Sequence, residues 1–337
     1  MSVRLRLQPR QASRFWKIGR ALVTDKLALS SVLGIHHLGL AVRDLKQAVE
    51  FYSKTTKLSV LEEARIFSHV PHEPDQCAVL KGPNGHLQLM QFSDAPPSGM
   101  GVIGPGATHI CFQAPASRSL YKTFVGQGAV PVSVGNPPID LNGAGVRYAY
   151  ACDQDNIMFE VEELDQPRFE GPIWIAHIAL ACENIDRSVE FYSELLGVEP
   201  YGRANKVMGP RFDEVTGIEN VRIRAAWFNT GNMVIELWQF INPPTPKATQ
   251  APNFCEAGHN KIALEVKDLA SELDRLAAMG LALTYPPFES RGITEAYLRD
   301  PDGNLLSLIG VDGVSVSIAN MPRIDWLPSP RDRKASA

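Results

Sequence analysis

Cysteine, long apolar runs and an excess of positive charge are what this sequence of 337 residues has little of. No apolar run approaches the ~18 residues of a membrane span. Lys and Arg total 33 against 37 Asp and Glu, which argues against a nucleic-acid binder. The five cysteines are odd in number and scattered, without a CxxC pair, at Cys77, Cys111, Cys152, Cys182 and Cys255. This pattern argues against a disulfide framework and a zinc knuckle and favours a reducing compartment, so we expect a cytoplasmic protein.

The two ends of the chain differ from the rest. In residues 1–34, six basic residues precede the first acidic one, Asp25. We expect an N-terminal arm that packs over the body or a partner subunit with Trp16 as its anchor; an organelle transit peptide is the alternative. Residues 313–337 are expected to form a C-terminal tail, and the proline and basic residues between Met321 and Ala337 predict that its end is weakly ordered.

The body of the chain is a repeat. A strand-like segment beginning at His37 runs into a helical segment ending in VEFYS at Ser53, and a segment beginning at His177 does the same, ending at Ser193. The interval from the histidine to the tyrosine is the same in both copies. Weaker copies begin at His109 and Lys261. Because self-similarity at a fixed period marks a repeated structural unit, the chain predicts four such units.

Each unit has the same order of elements: a short apolar strand, an amphipathic helix, and strands of alternating polarity separated by turns rich in Gly, Pro, Asn and Asp. This predicts an α+β fold of four βαβββ modules, near residues 35–92, 107–164, 173–242 and 259–312. A single module leaves strand edges and one sheet face uncovered, so the modules should pair.

The linkers suggest which modules pair. The Pro-rich segments 94–106 and 242–258 suit crossings within a domain, whereas the short, charged segment 164–172 is typical of a domain boundary. We therefore expect two cupped-sheet domains at residues 35–165 and 173–312, made by modules one with two and three with four. Pairing of one with four and two with three is the alternative.

These motifs resemble those of the vicinal oxygen chelate superfamily, which includes glyoxalase I, methylmalonyl-CoA epimerase and extradiol dioxygenases. The resemblance rests on the strand that opens with histidine, the FYS-type helix, the PPxP linker and the Tyr297–Asn304 segment YLRDPDGN. It implies a glyoxalase-like fold in which paired modules cup one divalent metal ion (Zn, Co, Mn, Ni or Fe(II)). It also implies ligands from the first and last strand of each module.

Carried over residue by residue, the resemblance gives the first domain the metal ligands His37, Gln88, His109 and Glu160. The second domain receives His177, Glu236, Lys261 and Ser307, and an ammonium and a hydroxyl are poor ligands. We therefore expect a degenerate second site in which Lys261 pairs with Glu236. Glu162 and Glu163 are expected at the exposed end of their strand.

The implied chemistry is chelation of vicinal oxygens on a small hydroxy-carbonyl substrate and stabilisation of an enediolate, by an epimerase, isomerase or lyase. Glu160 is a candidate base, as are the loop carboxylates Glu62, Glu63, Glu73 and Asp75. Tyr150 is a second candidate catalytic residue, at the spacing of an extradiol active-site tyrosine. An Fe(II) ring-cleaving dioxygenase and a non-catalytic binding protein are the alternatives. The expected partners are a small molecule and a second copy of the chain.

Overall fold

The computed structural model describes residues 30–61, 73–92, 95–99, 101–248, 253–290, 292–311 and 316–327. The arm predicted at residues 1–34, including Trp16, lies almost wholly outside these residues, as do the candidate bases Glu62 and Glu63. The four predicted βαβββ modules are confirmed. Within the described residues, no helix combines the length and apolarity needed to cross a membrane.

The elements of the modules follow one another in the repeated order. The first module contains β1 (Val32–Val42), α1 (Leu45–Thr56), β2 (Ser59–Leu61), β3 (Gln76–Lys81) and β4 (His86–Gln91). The second contains β5 (Gly106–Pro115), α2 (Leu120–Gly126), β6 (Val130–Pro131), β7 (Ile139–Asp140), β8 (Val146–Cys152) and β9 (Met158–Leu164). The third contains β10 (Trp174–Ala181), α3 (Ile185–Leu196), β11 (Gly202–Met208), α4 (Pro210–Thr216), β12 (Arg222–Asn229) and β13 (Val234–Asn242). The fourth contains β14 (Gly258–Val266), α5 (Leu269–Ala278), β15 (Tyr285–Ser290), β16 (Ile293–Arg299) and β17 (Leu305–Val311).

The expected pairing of modules is wrong for the sheets. In the described residues, the first sheet runs β15-β16-β17-β14-β1-β4-β3-β2 and joins modules one and four. The second runs β11-β12-β13-β10-β5-β9-β8-β6 and joins modules two and three. Each of the domains expected at 35–165 and 173–312 therefore contributes one module to the first sheet and one module to the second. The reason lies in the linkers: the long Pro-rich segments cross from one sheet to the other, and the short segment 165–173 stays within the second sheet.

Consecutive modules nevertheless pack against each other through their helices. The hydroxyl of Tyr52 on α1 donates to Asp153 in the turn before β9, at 2.8 Å, and Tyr192 on α3 donates to Asp300 in the turn before β17, at 3.0 Å. The tyrosine of each VEFYS motif thus binds an aspartate of the next module. One continuous apolar core contains residues from all four modules and lies between the two sheets.

Two buried asparagines join modules one and three. The Asn84 side chain bonds both main-chain groups of Ile175, at 3.1 Å and 2.8 Å, and the Asn232 side chain bonds both main-chain groups of Ile35, at 2.9 Å and 2.7 Å. Each also donates to the main-chain carbonyl of the other asparagine. Gly34 permits this contact, because a Cβ there, at φ +154°, would lie 2.3 Å from Asn232 Oδ1.

The segment 316–327 packs on both sheets, and the prediction of a weakly ordered end at residues 321–337 is wrong for its described part, 321–327. Val316 and Ile318 are fully buried and Ile324 is 7% exposed. Trp326 packs on Trp174 with ring centroids 5.6 Å apart. Apolar residues at the start of this segment cover the first sheet, and those at its end cover the second, so burial outweighs its Pro-rich composition.

Candidate metal centre

Strand alternation divides the second sheet into an apolar face and a polar face. In β5 the side chains of Ile110 and Phe112 enter the core, and those of His109 and Cys111 face the other side. The same alternation in β9, β10 and β13 turns Glu160, His177 and Glu236 to this second face. The four strands are neighbours in the order β13-β10-β5-β9, so the four polar side chains converge.

The four side chains form one tight cluster. Their potential ligand atoms, on His109, Glu160, His177 and Glu236, all lie within 4.8 Å of one another. The Nε2 atom of His177 is 2.8 Å from Glu160 Oε2 and 3.2 Å from Glu236 Oε2, and His109 Nε2 is 3.3 Å from Glu160 Oε2. Ligand atoms about 2.1 Å from a common ion lie roughly 3 Å from one another, so these separations fit a shared cation.

The directions of the nitrogen atoms also fit a cation. Neither His109 Nε2 nor His177 Nε2 makes a hydrogen bond of acceptable angle, although both are buried next to carboxylate oxygens. The Thr108 hydroxyl donates to Ala179 O, at 3.3 Å, so it accepts from Nδ1 of His109, at 3.0 Å. That arrangement leaves a lone pair on His109 Nε2, and the donor set of two imidazoles and two carboxylates fits a divalent ion.

Neighbouring side chains hold the cluster in place. The indole Nε1 of Trp227 donates to Glu236 Oε1. The ring of Tyr150 lies 4.9 Å from that of His109, and the ring of Trp238 lies 5.6 Å from it. Such contacts fix the orientation of ligands around a metal.

The pKa values of Glu160 and His177 reflect the mutual attraction of the charged groups in the cluster. Burial acts to raise the pKa of Glu160, but the imidazoles of His109 and His177 lower it to about 2. Burial acts to lower the pKa of His177, but the charges of Glu236 and Glu160 raise it to about 9. The two carboxylates and the two imidazoles therefore attract one another strongly.

The predicted ligand set His37, Gln88, His109 and Glu160 is wrong as a set. His109 and Glu160 lie in the second sheet with His177 and Glu236, whereas His37 and Gln88 lie in the first sheet. The error follows from the module pairing, since a site forms where two modules share a sheet. The observed pairing of modules two and three brings His177 and Glu236, which were expected in a degenerate site, into the cluster.

The first sheet holds the degenerate constellation instead, with Lys261 and Ser307 beside His37 and Gln88. The expected pair of Lys261 with Glu236 is wrong: the ammonium is fully buried and lies 3.1 Å from Glu295 Oε1 on β16. His36 and His86 both bond the carbonyl of Val316 at 2.9 Å, which closes this face. Glu73 and Asp75, expected as possible bases, belong to the module of this sheet and not to the cluster.

Glu162 and Glu163 are buried, so their expected exposure is wrong. The side chain of Gln113 donates to Glu162, and Glu163 accepts from the main-chain nitrogen of Tyr121 at 3.0 Å. Burial raises the pKa of Glu162, and the charge of Glu160 adds to this, so that it reaches about 7. A second group of potential ligands, Cys111, Glu160, Glu162 and His177, overlaps the first. The signal that could have found Glu162 is its even spacing from Glu160 on the same face of β9.

A cavity of about 370 Å³ opens on the cluster. Glu160, His177 and Glu236 lie in its wall together with Glu162 and Tyr150. Tyr150, a predicted catalytic residue, is 1% exposed, and burial followed by the charge of Glu160 raises its pKa well above the usual value. It therefore stands at the site as a neutral phenol.

Comparison with known proteins identifies the family. A sequence model of the Glyoxalase/Bleomycin resistance protein/Dioxygenase superfamily matches residues 34–161 and 174–308. The chain belongs to this superfamily. It is 22% identical to "Glyoxylase I 4" of Arabidopsis thaliana over 142 residues, which are 42% of this chain and 72% of the relative.

Solved structures of this superfamily share the fold. Glyoxalase I from Zea mays superposes with a TM-score of 0.58 at 18% identity, covering 82% of this chain and 92% of that chain. A putative dioxygenase from Bacillus subtilis superposes with a TM-score of 0.55 at 14% identity, covering 87% and 90%. At these identities the likeness concerns the glyoxalase-like fold, and the reaction has to be argued from the site.

Proposed function

We propose that the protein is a divalent-metal-dependent enzyme that binds two adjacent oxygens of a small hydroxy-carbonyl substrate and stabilises an enediolate, as an epimerase, isomerase or lyase. The ligands are His109, Glu160, His177 and Glu236. The observation that carries the proposal is the convergence of two imidazole nitrogens and two carboxylates within 4.8 Å, without hydrogen-bond geometry at either nitrogen. When bound, a divalent ion supplies Lewis-acid polarisation of a carbonyl oxygen.

The chain supplies the groups that move a proton. Glu162 lies in the cavity wall, two residues beyond Glu160 on the same face of β9, and is not among the four ligands. A carboxylate at this position can take the proton next to a carbonyl group and return it. Tyr150, held against His109, can donate a hydrogen bond to a substrate oxygen.

An oxygen-activating reaction is the second candidate. Two histidines and a carboxylate on one face of an ion form the ligand arrangement of non-haem Fe(II) oxygenases, and His109, His177 and Glu160 supply it. Glu236 would then be a fourth ligand or a base. A non-catalytic binding protein is the remaining alternative.

Metal content tests the proposed site. The purified protein should hold about one divalent ion per chain, measured by inductively coupled plasma mass spectrometry. Glu236→Gln and His177→Ala should each weaken metal binding by about 100-fold or more, because a ligand contributes more than the tenfold to 100-fold of an outer contact. Gln88→Ala, at the corresponding position of the first sheet, is the matched control and should keep the ion. Two ions per chain, or metal loss in the control alone, would contradict the assignment.

Isotope exchange and oxygen uptake separate the reactions. With an α-hydroxyketone as substrate, an isomerase or lyase should exchange the proton next to the carbonyl with deuterated water, and Glu162→Gln should slow this exchange by about 100-fold. A dioxygenase should instead consume oxygen with Fe(II) bound. If the metal-loaded protein shows no proton exchange and no oxygen uptake with a panel of such substrates, the result would favour a non-catalytic binding protein.

A further inference from the structure

The walls of the cavity in the second sheet are aromatic. Four of the five tryptophans of the chain line it, Trp174, Trp227, Trp238 and Trp326. Tyr148, Tyr201 and Phe212 add three more rings. Phe169 stacks on Trp174 at 5.6 Å, and Trp326 meets the same indole edge-on at 5.6 Å, so these rings form a supported wall. Flat rings pack well against such surfaces.

Lysine and arginine side chains are missing from this wall among the described residues. The ionisable lining groups other than tyrosine are Glu160, Glu162, Glu236 and His177, and His177 is itself a proposed ligand. A divalent ion held by Glu160 and Glu236 would have both of its charges balanced by those two carboxylates. A carboxylate or phosphate on a substrate would therefore lose its hydration without gaining a cationic partner.

Two arginines next to residues of the wall are engaged elsewhere. Arg147, next to Tyr148, pairs with Asp165 through two hydrogen bonds. Arg211, next to Phe212, donates to the main-chain oxygen of Asp140 at 2.6 Å. Neither is part of the cavity wall, so a substrate anion could recruit them only by breaking these contacts.

We propose that the cavity selects an uncharged, flat and largely apolar substrate, and that Trp326 is a specificity-determining residue of its wall. The inference rests on the proposed function, which places two adjacent substrate oxygens at His109, Glu160, His177 and Glu236. It adds that the remainder of the substrate is a ring packed among indoles, and it excludes conjugates that carry a remote carboxylate or phosphate. Trp326 closes this wall from the segment that follows the last module.

Three hydroxamates test the substrate class, because each offers the same two adjacent oxygens. Acetohydroxamate lacks a ring, benzohydroxamate has an uncharged ring, and 4-carboxybenzohydroxamate has a ring with a remote anion. Binding to the zinc-loaded protein is measured by isothermal titration calorimetry. Benzohydroxamate should bind at least about tenfold more tightly than acetohydroxamate, since its ring buries apolar area. It should bind at least about tenfold more tightly than the carboxylated ring, whose anion is desolvated without a partner.

Trp326→Ala tests the named residue. This variant should weaken benzohydroxamate binding by about tenfold and leave acetohydroxamate binding unchanged, because only the ring touches the wall. Trp326→Phe should recover most of the loss. Phe288→Ala, which removes an exposed ring from the first sheet, is the control and should change neither.

The outcomes separate the two levels of the argument. Equal affinity for the three hydroxamates, or tighter binding of the carboxylated ring, would overturn the substrate class while the metal site stands. Equal loss of benzohydroxamate and acetohydroxamate affinity in Trp326→Ala would overturn its role. Zinc content is measured before any hydroxamate is added, and absence of zinc contradicts the proposed function itself. If Trp326→Ala does not fold, the comparison of the three ligands on the unmodified protein still decides the substrate class.

Discussion

Replacing Asn84 or Asn232 by alanine removes the hydrogen bonds that join modules one and three. The Asn84 side chain serves three buried main-chain groups, the nitrogen and oxygen of Ile175 and the oxygen of Asn232. The Asn232 side chain serves the equivalent groups of Ile35 and Asn84. Both asparagines are fully buried, so water cannot replace these partners without a rearrangement. Ile175 lies two residues before His177, and the contact therefore also supports the strand of a proposed ligand.

The expected destabilisation follows from counting the orphaned groups. Each buried group left without a partner costs about 1–3 kcal/mol, so the three groups of either variant predict a loss of about 3–9 kcal/mol. Domains are typically stable by only about 5–15 kcal/mol, so either variant should be close to unfolding. The two losses should add incompletely, because water that enters at one site reaches the adjacent carbonyl of the other.

Urea unfolding followed by tryptophan fluorescence and circular dichroism measures the effect. Asn142→Ala is the matched control, because Asn142 is exposed and bonds only a neighbouring main-chain nitrogen in its own loop. It should change the free energy of unfolding by less than about 0.5 kcal/mol. A loss below about 1 kcal/mol in both buried variants would refute the reasoning, since it would mean that the junction does not depend on these bonds.

Three further predictions concern buried polar groups outside the metal centre. Tyr52→Phe and Tyr192→Phe should each lower the free energy of unfolding by about 1–3 kcal/mol by removing a hydrogen bond to a buried carboxylate. Exposed Tyr285→Phe should have little effect in the same urea titration. Burial lowers the pKa of His86 to about 4, so its contribution is full above pH 6.5 and is lost as pH falls towards 4. As the pH falls from 6.5 to 4, the difference in unfolding free energy between the native chain and His86→Gln should shift by about 3 kcal/mol in favour of the variant. A difference that stays constant with pH in urea titrations would contradict this. Lys261→Met should lower the unfolding free energy by about 3–5 kcal/mol by leaving Glu295 buried and unpaired. Adding Glu295→Leu should recover most of the loss in thermal unfolding, and no recovery would show that the pair itself matters little.

The modules could be predicted from the sequence because they depend on local signals. The VEFYS motifs mark α1 and α3, and the turns at Asn84 and Asp153 precede the last strands of their modules. The repeat and the family resemblance together named His109, Glu160, His177 and Glu236 as polar residues on the first and last strands of their modules, and the structure has them on those strands. These assignments needed no knowledge of distant contacts.

The grouping of these residues could not be predicted because it depends on which strand edges meet. The edges of β1 and β5 are equivalent in pattern, and the structure pairs β1 with β14 and β5 with β10. The length of the linkers, and not their proline content, is the feature that distinguishes the two pairings. Trp326 was missed for a related reason: its segment has the composition of a tail, and its burial depends on Trp174 in another module.

The two sheets show why a sheet without metal ligands can still be required for the chemistry of the other. At the positions where the second sheet has His109 and Glu160, the first sheet has Lys261 and Ser307. Lys261 forms a buried ion pair with Glu295 there. The first module of this sheet nevertheless holds Asn84, which bonds Ile175 of β10, and Tyr52, which donates to Asp153 in the turn before β9. Because β9 and β10 present Glu160 and His177, the position of two proposed ligands depends on the first sheet. Mutations that loosen that sheet should therefore weaken metal binding in the second without touching a ligand.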